Sequence, residues 1–201
     1  ALRPEHRVVS NASCTAHAAA PVLAALDSAF GIERAYVSSV HAYTSVARLA
    51  DVPAGDLRMS RAAAENIIPS ETKVVSLLGE VLPGLEGKVD AAAFQVPVQN
   101  GSLVDMTLWL QRGASKDEIN AAVKLAAETR FAGILEYLED PIVSSDVARS
   151  PYSSTFDALA TMTLGERMVK TMAWFDNSWG YAHRVLDLLA ALAPLDGKEA
   201  A

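Results

Sequence analysis

The chain has 201 residues, 51% of them hydrophobic and 20% charged, enough to bury one sizeable core, and it shows no repeat or low-complexity tract. A net charge of −7 argues against nucleic acid or an anionic membrane as the main partner, although a local basic patch could still hold a small anion. One cysteine excludes an internal disulfide and fits a reducing compartment. Neither a signal-peptide pattern nor an apolar run of about 18 residues is present, so the chain is expected in the cytoplasm.

Residues 8–17 read as a strand-like run that turns into a helix. Asn11 and Ser13 are N-cap candidates, and the residues that follow carry Val22, Leu23, Leu26 and Phe30 at helical spacing before Gly31 closes the pattern. Cys14 then falls in the first turn. On residue type a lone cysteine is a small buried hydrophobe. At a helix N-terminus, however, unpaired amides and the positive end of the dipole favour the thiolate, and the same donors could hold an oxyanion.

A nucleophilic cysteine needs a base, and the candidates are His6, His17, His41 and His183. His41 lies in the β-branched and aromatic run 36–44, which follows the Gly31 break, so a helix-to-strand reversal can return it to the helix N-terminus. A hydrogen-bonded sheet histidine is the plain alternative. His17 points about one turn into the helix and ranks below His41.

Residues 45–60, with Pro53, Gly55 and Asp56 among scattered charges, read as a loop. Residues 67–73 form a turn into a helix through Val74, Val75, Leu77 and Leu78, a helix start that could cradle a phosphate. Runs 91–98 and 103–110 flank Gln99-Asn100-Gly101 and read as two adjacent strands, the second with Val104, Met106, Leu108 and Leu110 on one face. Pro97 favours an edge or bulge. Ser115 and Glu118 make a capping box for a helix with Ile119, Ala122, Val123 and Ala126 on one face. Short strands are expected at 134–138, 142–144 and 153–156, and a long one at 168–175. Asp176-Asn177-Ser178 caps a last helix through Val185, Leu186, Leu188 and Leu189. These elements make an α+β domain with helices packed on a mixed, largely antiparallel sheet.

Four blocks in order, Ser10-Asn11-Ala12-Ser13-Cys14-Thr15, Val40-His41-Ala42-Tyr43-Thr44, the run from Arg61-Ala62-Ala63-Ala64-Glu65-Asn66 to Ile67-Ile68-Pro69-Ser70, and Trp174-Phe175-Asp176-Asn177-Ser178-Trp179-Gly180-Tyr181, resemble the glyceraldehyde-3-phosphate dehydrogenase family. The resemblance covers the family's second half, its catalytic domain. No G-x-G-x-x-G lies between a strand and a helix, so residues 1–201 are expected to be a catalytic domain without its dinucleotide-binding domain, and the opening Ala1-Leu2-Arg3-Pro4 suggests a fragment.

The resemblance implies a phosphorylating aldehyde dehydrogenase, oxidising glyceraldehyde 3-phosphate to 1,3-bisphosphoglycerate. Cys14 would form a thiohemiacetal and then a thioester, His41 would accept a proton, and NAD or NADP would take the hydride. It places Ser13, Thr15, Thr44 and Thr72 at the phosphate sites, Asn177 at the nicotinamide carboxamide and Tyr181 near its ring, and it implies no metal. The choice between NAD and NADP belongs to the half not represented here. The loop after His41, with Arg61, would pack between subunits of a homo-oligomer, a tetramer.

Departures from the family stand at Gln95, where a phosphate-binding arginine is usual, at Val46, where a polar residue is usual, and at Lys73, where glycine is usual. Lys73 either adds charge to an anion site or blocks close backbone approach. An amide lacks the charge and the bidentate fork of a guanidinium, so a different aldehyde such as erythrose 4-phosphate is one alternative, and a non-catalytic homologue serving as an assembly module is another.

Overall fold

The computed structural model describes residues 2–3 and 5–196; Ala1 and Pro4 of the opening stretch lie outside the described residues. Helix α1 (Cys14–Phe30) begins at Ser13, whose extended backbone lets its hydroxyl accept the Ala16 amide at 3.1 Å. It ends at Gly31, at a positive φ of 69°, where the glycine amide donates to the Asp27 carbonyl at 2.9 Å. Its small side chains allow burial nearly all round, from Ala16, Ala18 and Ala19 to Leu23 and Leu26. Pro21, inside the helix, has no amide to donate to His17. One turn away the buried Ser154 hydroxyl donates to the Ala18 carbonyl at 2.8 Å and ties the helix to the sheet.

The strands are β1 (Ile32–Ala42), β2 (Ile68–Ser70), β3 (Val89–Val96), β4 (Ser102–Leu110), β5 (Leu135–Leu138), β6 (Ser154–Asp157), β7 (Met162–Leu164) and β8 (Met168–Phe175). They run β2-β3-β1-β4-β8-β6-β5 across one sheet, with β7 on β8. Two pairings, β1 with β3 and β5 with β6, are parallel and five are antiparallel, which is the mixed, largely antiparallel α+β fold expected. The period-2 pattern of β4 holds throughout: Val104, Met106, Leu108 and Leu110 are fully buried, and the residues between them face the other side.

Beside α1 lie α2 (Val74–Val81) and α3 (Lys116–Glu128), while α1 itself crosses β4, β6 and β8. The α3 capping box forms in full, Ser115 and Glu118 each bonding the other's amide. The last helix is α4 (Trp179–Asp196). Among the described residues no helix is long and apolar enough to cross a membrane.

Four readings of local pattern are corrected. Residues 91–98 and 103–110 do not form adjacent strands; β1 lies between β3 and β4, and the five residues joining them pass its end. Residues 8–13 form no strand, since a ladder needs a partner and Val8 is 93% exposed. The expected strand at 142–144 is replaced by a 3₁₀ turn, Ser144–Val147, where the Asp146 carboxylate takes the Val143 amide at 2.7 Å. The 67–73 turn contains the short strand β2.

The passage from β3 to β4 depends on Gly101. It has a φ of +80°, and a Cβ there would lie 1.8 Å from the Ser144 carbonyl oxygen. Gly101→Ala should therefore destabilise the fold by roughly 2–4 kcal/mol, combining left-handed strain with a backbone clash. Urea unfolding reads this directly; a midpoint equal to that of the unsubstituted chain would contradict it.

Candidate active site

Cys14 is the first residue of α1, half-buried, and follows Ala12, which has a positive φ of 51°. A non-glycine residue in the left-handed region is uncommon. Here it lies in the bend that carries the chain into the helix, stabilised where the Ala12 amide meets the Ser10 hydroxyl at 3.2 Å.

His41 comes from the far end of β1, as the reversal after Gly31 requires. Its Nε2 lies 2.9 Å from the Thr15 hydroxyl, one residue past the cysteine. Its Nδ1 faces the buried Ser102 hydroxyl at 3.4 Å, and the same hydroxyl accepts the Ala42 amide at 3.1 Å. Phe175 packs its ring edge-on to the imidazole, 5.4 Å between centroids.

Burial pushes the His41 imidazole below its ordinary value. Burial also pushes the Cys14 thiol up; hydrogen bonds from the Thr15 amide, the Thr15 hydroxyl and Cys14's own amide oppose this without overcoming it. The helix N-terminus favours the charged sulfur, and desolvation works against it, so burial at Cys14 opposes the thiolate that its helix position favours.

A cavity of about 290 Å³ opens beside this pair. Ser13, Thr15, His41, Thr44, Thr72, Lys73 and Gln95 line it, so the hydroxyls of Ser13, Thr15, Thr44 and Thr72, from three segments of the chain, converge on one space. The parallel register sets Gln95 directly beside His41, and Gln95 Oε1 is buried without a partner. Lys73 stands at the start of α2, and the Thr72 hydroxyl accepts the Val74 amide at 3.2 Å, so this turn caps a helix and also faces the cavity. Glu71 brings a negative charge to the same wall. Val46 does not belong here: it is 81% exposed and outside the cavity lining, so its departure from the family pattern has no bearing on the pocket.

Just after β8, whose end pairs with the start of β4, the expected Asp176-Asn177-Ser178 cap of α4 forms through its first residue. Asp176, not Asn177, accepts the Ser178 and Trp179 amides at 2.9 and 2.8 Å. Burial raises the Asp176 carboxyl, but the Trp179 and Arg149 amides, the Asn100 side chain and the Ser178 amide together hold it below its ordinary value. Among the described residues no hydrogen bond occupies the Asn177 side chain. Tyr181, one turn further along, stacks on His17 at 5.6 Å. His17 itself lines a second cavity, with Arg184.

Arg61 pairs with Asp51 at 3.2 Å, both side chains exposed within the 45–67 loop region. Sequence reasoning missed Ser102. A serine opening an otherwise apolar strand has no motif to mark it.

Residues 13–177 match the family described as glyceraldehyde 3-phosphate dehydrogenase, C-terminal domain. The chain is 48% identical over 184 residues to glyceraldehyde-3-phosphate dehydrogenase 2 of Streptomyces avermitilis, covering 92% of this chain and 55% of that protein. It is 50% identical over 184 residues to the glyceraldehyde-3-phosphate dehydrogenase of Streptomyces coelicolor, covering 91% and 55%. With the Geobacillus stearothermophilus enzyme of that name it shares 47% over 188 residues, covering 94% and 56%. The chain thus spans about half the length of the curated relatives it matches.

Because desolvation dominates at Cys14, its alkylation by iodoacetamide should rise with pH about a midpoint above that of a free cysteine peptide. The sign follows from the raised thiol: the reactive thiolate is scarce below the midpoint and accumulates above it. A midpoint below the peptide's would mean that the helix N-terminus and Thr15 outweigh burial.

Proposed function

Since the chain belongs to the glyceraldehyde-3-phosphate dehydrogenase family and matches its C-terminal domain, we propose that it is the catalytic half of a phosphorylating aldehyde dehydrogenase acting in the cytoplasm. The observation that supports this most is the contact of His41 with Thr15, the residue after Cys14 at the α1 N-terminus, in the wall of a hydroxyl-lined cavity. Cys14 adds through sulfur to the aldehyde carbonyl, and His41 takes the proton released. Amides at the α1 N-terminus face the oxygen that gains charge.

NAD or NADP, when bound, accepts the hydride that turns the thiohemiacetal into a thioester. The residues present fit its nicotinamide end. The Asn177 side chain is uncommitted because Asp176 does the capping, and Tyr181 follows in the first turn of α4. The dinucleotide-binding half is supplied by residues outside this chain. Phosphate held by Ser13, Thr15, Thr44 and Thr72 then attacks the thioester, and the complete protein assembles as a homotetramer.

The leading substrate is glyceraldehyde 3-phosphate. A second reading, an aldehyde such as erythrose 4-phosphate, is favoured by Gln95, a neutral amide with an unpaired acceptor atom in the cavity wall.

Joined to a dinucleotide-binding half, the chain should reduce NAD or NADP with glyceraldehyde 3-phosphate in a phosphate-dependent reaction that Cys14→Ser abolishes. Activity that survives Cys14→Ser, or that ignores phosphate, would sink the thioester route. The 201-residue chain alone should give no NAD or NADP binding in calorimetry.

In the same joined protein Gln95→Arg should lower KM for glyceraldehyde 3-phosphate about tenfold, because a charged bidentate contact exceeds a neutral one by roughly 1–2 kcal/mol. Turnover of unphosphorylated glyceraldehyde should stay nearly unchanged. Equal effects on both aldehydes would show that Gln95 does not read the phosphate.

A further inference from the structure

The cavity that His17 and Arg184 share has a volume of about 380 Å³, in the range of small-ligand sites, and most of its wall is carbon, from Ala20 of α1, Leu82 after α2, and Phe131 and Ile134 beyond α3. None of the residues assigned above to thiol chemistry, to phosphate or to the nicotinamide lines it.

The polar groups in that wall are chiefly nitrogens. Asn11 Nδ2 and His17 Nδ1 are buried without a hydrogen-bond partner. Arg184 comes from the turn of α4 after Tyr181, whose ring stacks on His17 at 5.6 Å between centroids. Its guanidinium is only partly used: Nη1 donates to Ser153 Oγ at 3.3 Å and to the Gly133 carbonyl at 3.4 Å, and Nε lies 2.8 Å from the Asp187 carboxylate. Among the described residues Nη2 makes no hydrogen bond. Arg130 adds a second, exposed guanidinium, 4.9 Å from the centroid of the Phe131 ring. Asp187 is not in the wall, and among the described residues that line the cavity none is acidic.

A buried donor without an acceptor is costly, so a ligand oxygen that reaches it is held more firmly than in water. A carboxylate suits the guanidinium fork, and an aliphatic tail suits the carbon wall; inorganic phosphate would match the first and leave the second uncovered. We propose that this cavity binds a short-chain aliphatic carboxylate, its charged end on Arg184, Asn11 and His17 and its tail against Leu82, Phe131 and Ile134. The site stands apart from the roles given to Cys14 and His41, and its test reads no catalysis.

Calorimetry and methyl NMR on the 201-residue chain decide it, with sodium hexanoate as the probe and hexan-1-ol as its uncharged counterpart. Hexanoate should bind once per chain with a Kd of about 1 mM or tighter, and hexan-1-ol about tenfold or more weakly, because it lacks the charge-assisted hydrogen bonds. Methyl resonances of Leu82 and Ile134 should move, and those of Leu77, which lines the cavity beside His41, should not. Neither measurement needs a variant to fold. Arg184→Met should weaken hexanoate about tenfold or more while leaving hexan-1-ol within about twofold. Joined to the dinucleotide-binding half, the protein should keep its hexanoate affinity within about threefold.

No saturable binding at about 10 mM hexanoate overturns the site. Equal affinity for the acid and the alcohol, or equal weakening of both by Arg184→Met, also overturns it, since packing and not charge would then govern entry. Shifts at Leu77 in place of Leu82 and Ile134 would put hexanoate in the other cavity, and loss of binding in the joined protein would mean that the other half fills this one. Either result overturns the proposal.

Discussion

The Ser13 hydroxyl accepting the Ala16 amide starts α1 at Cys14, and the geometry of the candidate site depends on that start not sliding. A helix buried on one face can rotate or shift register at modest cost. This one is buried on nearly every side and is bonded to the sheet through Ser154 at the Ala18 carbonyl, so a shift would unpack the core on several fronts. Cys14 and Thr15 are thereby held at a fixed height above the end of β1, where His41 ends its run.

The same burial sets the protonation states. Removing water disfavours charge on either partner, raising the thiol and lowering the imidazole, and the Thr15 hydroxyl, next to the cysteine in the chain, bonds the imidazole. Lys73 and Glu71 carry opposite charges on one wall, so the net charge they bring to the cavity cancels and its polar character comes from the converging hydroxyls.

Much of this was readable in the chain. The N-cap at Ser13, the Gly31 stop, the Ser115 and Glu118 box and the alternation of β4 are local rules whose partners lie within a few residues. The readings that failed needed knowledge from further away. A strand at 142–144 competed with an Asp146 side chain that supplies a 3₁₀ cap, β2 and β7 are three residues each, and the Cys14 thiol depends on burial by elements remote in sequence. Ser102 gains its importance only from the strand beside it. Asn177 was placed within the right turn, but adjacent side chains compete for the same amides, and the carboxylate of Asp176 is the stronger acceptor.

The misread hairpin has the largest functional consequence. Had β3 and β4 been neighbours, Gln95 at the end of one and Ser102 at the start of the other would have faced each other across a tight turn, with His41 elsewhere. Instead β1 runs between them, parallel to β3 and antiparallel to β4, so its end emerges beside the end of β3 and the beginning of β4. Parallel pairing with β3 sets Gln95 on one side of the imidazole, and antiparallel pairing with β4 brings Ser102 to Nδ1 on the other. Gly101 lets the connection pass close to Ser144 without a side chain in the way. The crossover that no local pattern announces is thus what surrounds the candidate base with a hydroxyl on one side and a cavity-lining amide on the other.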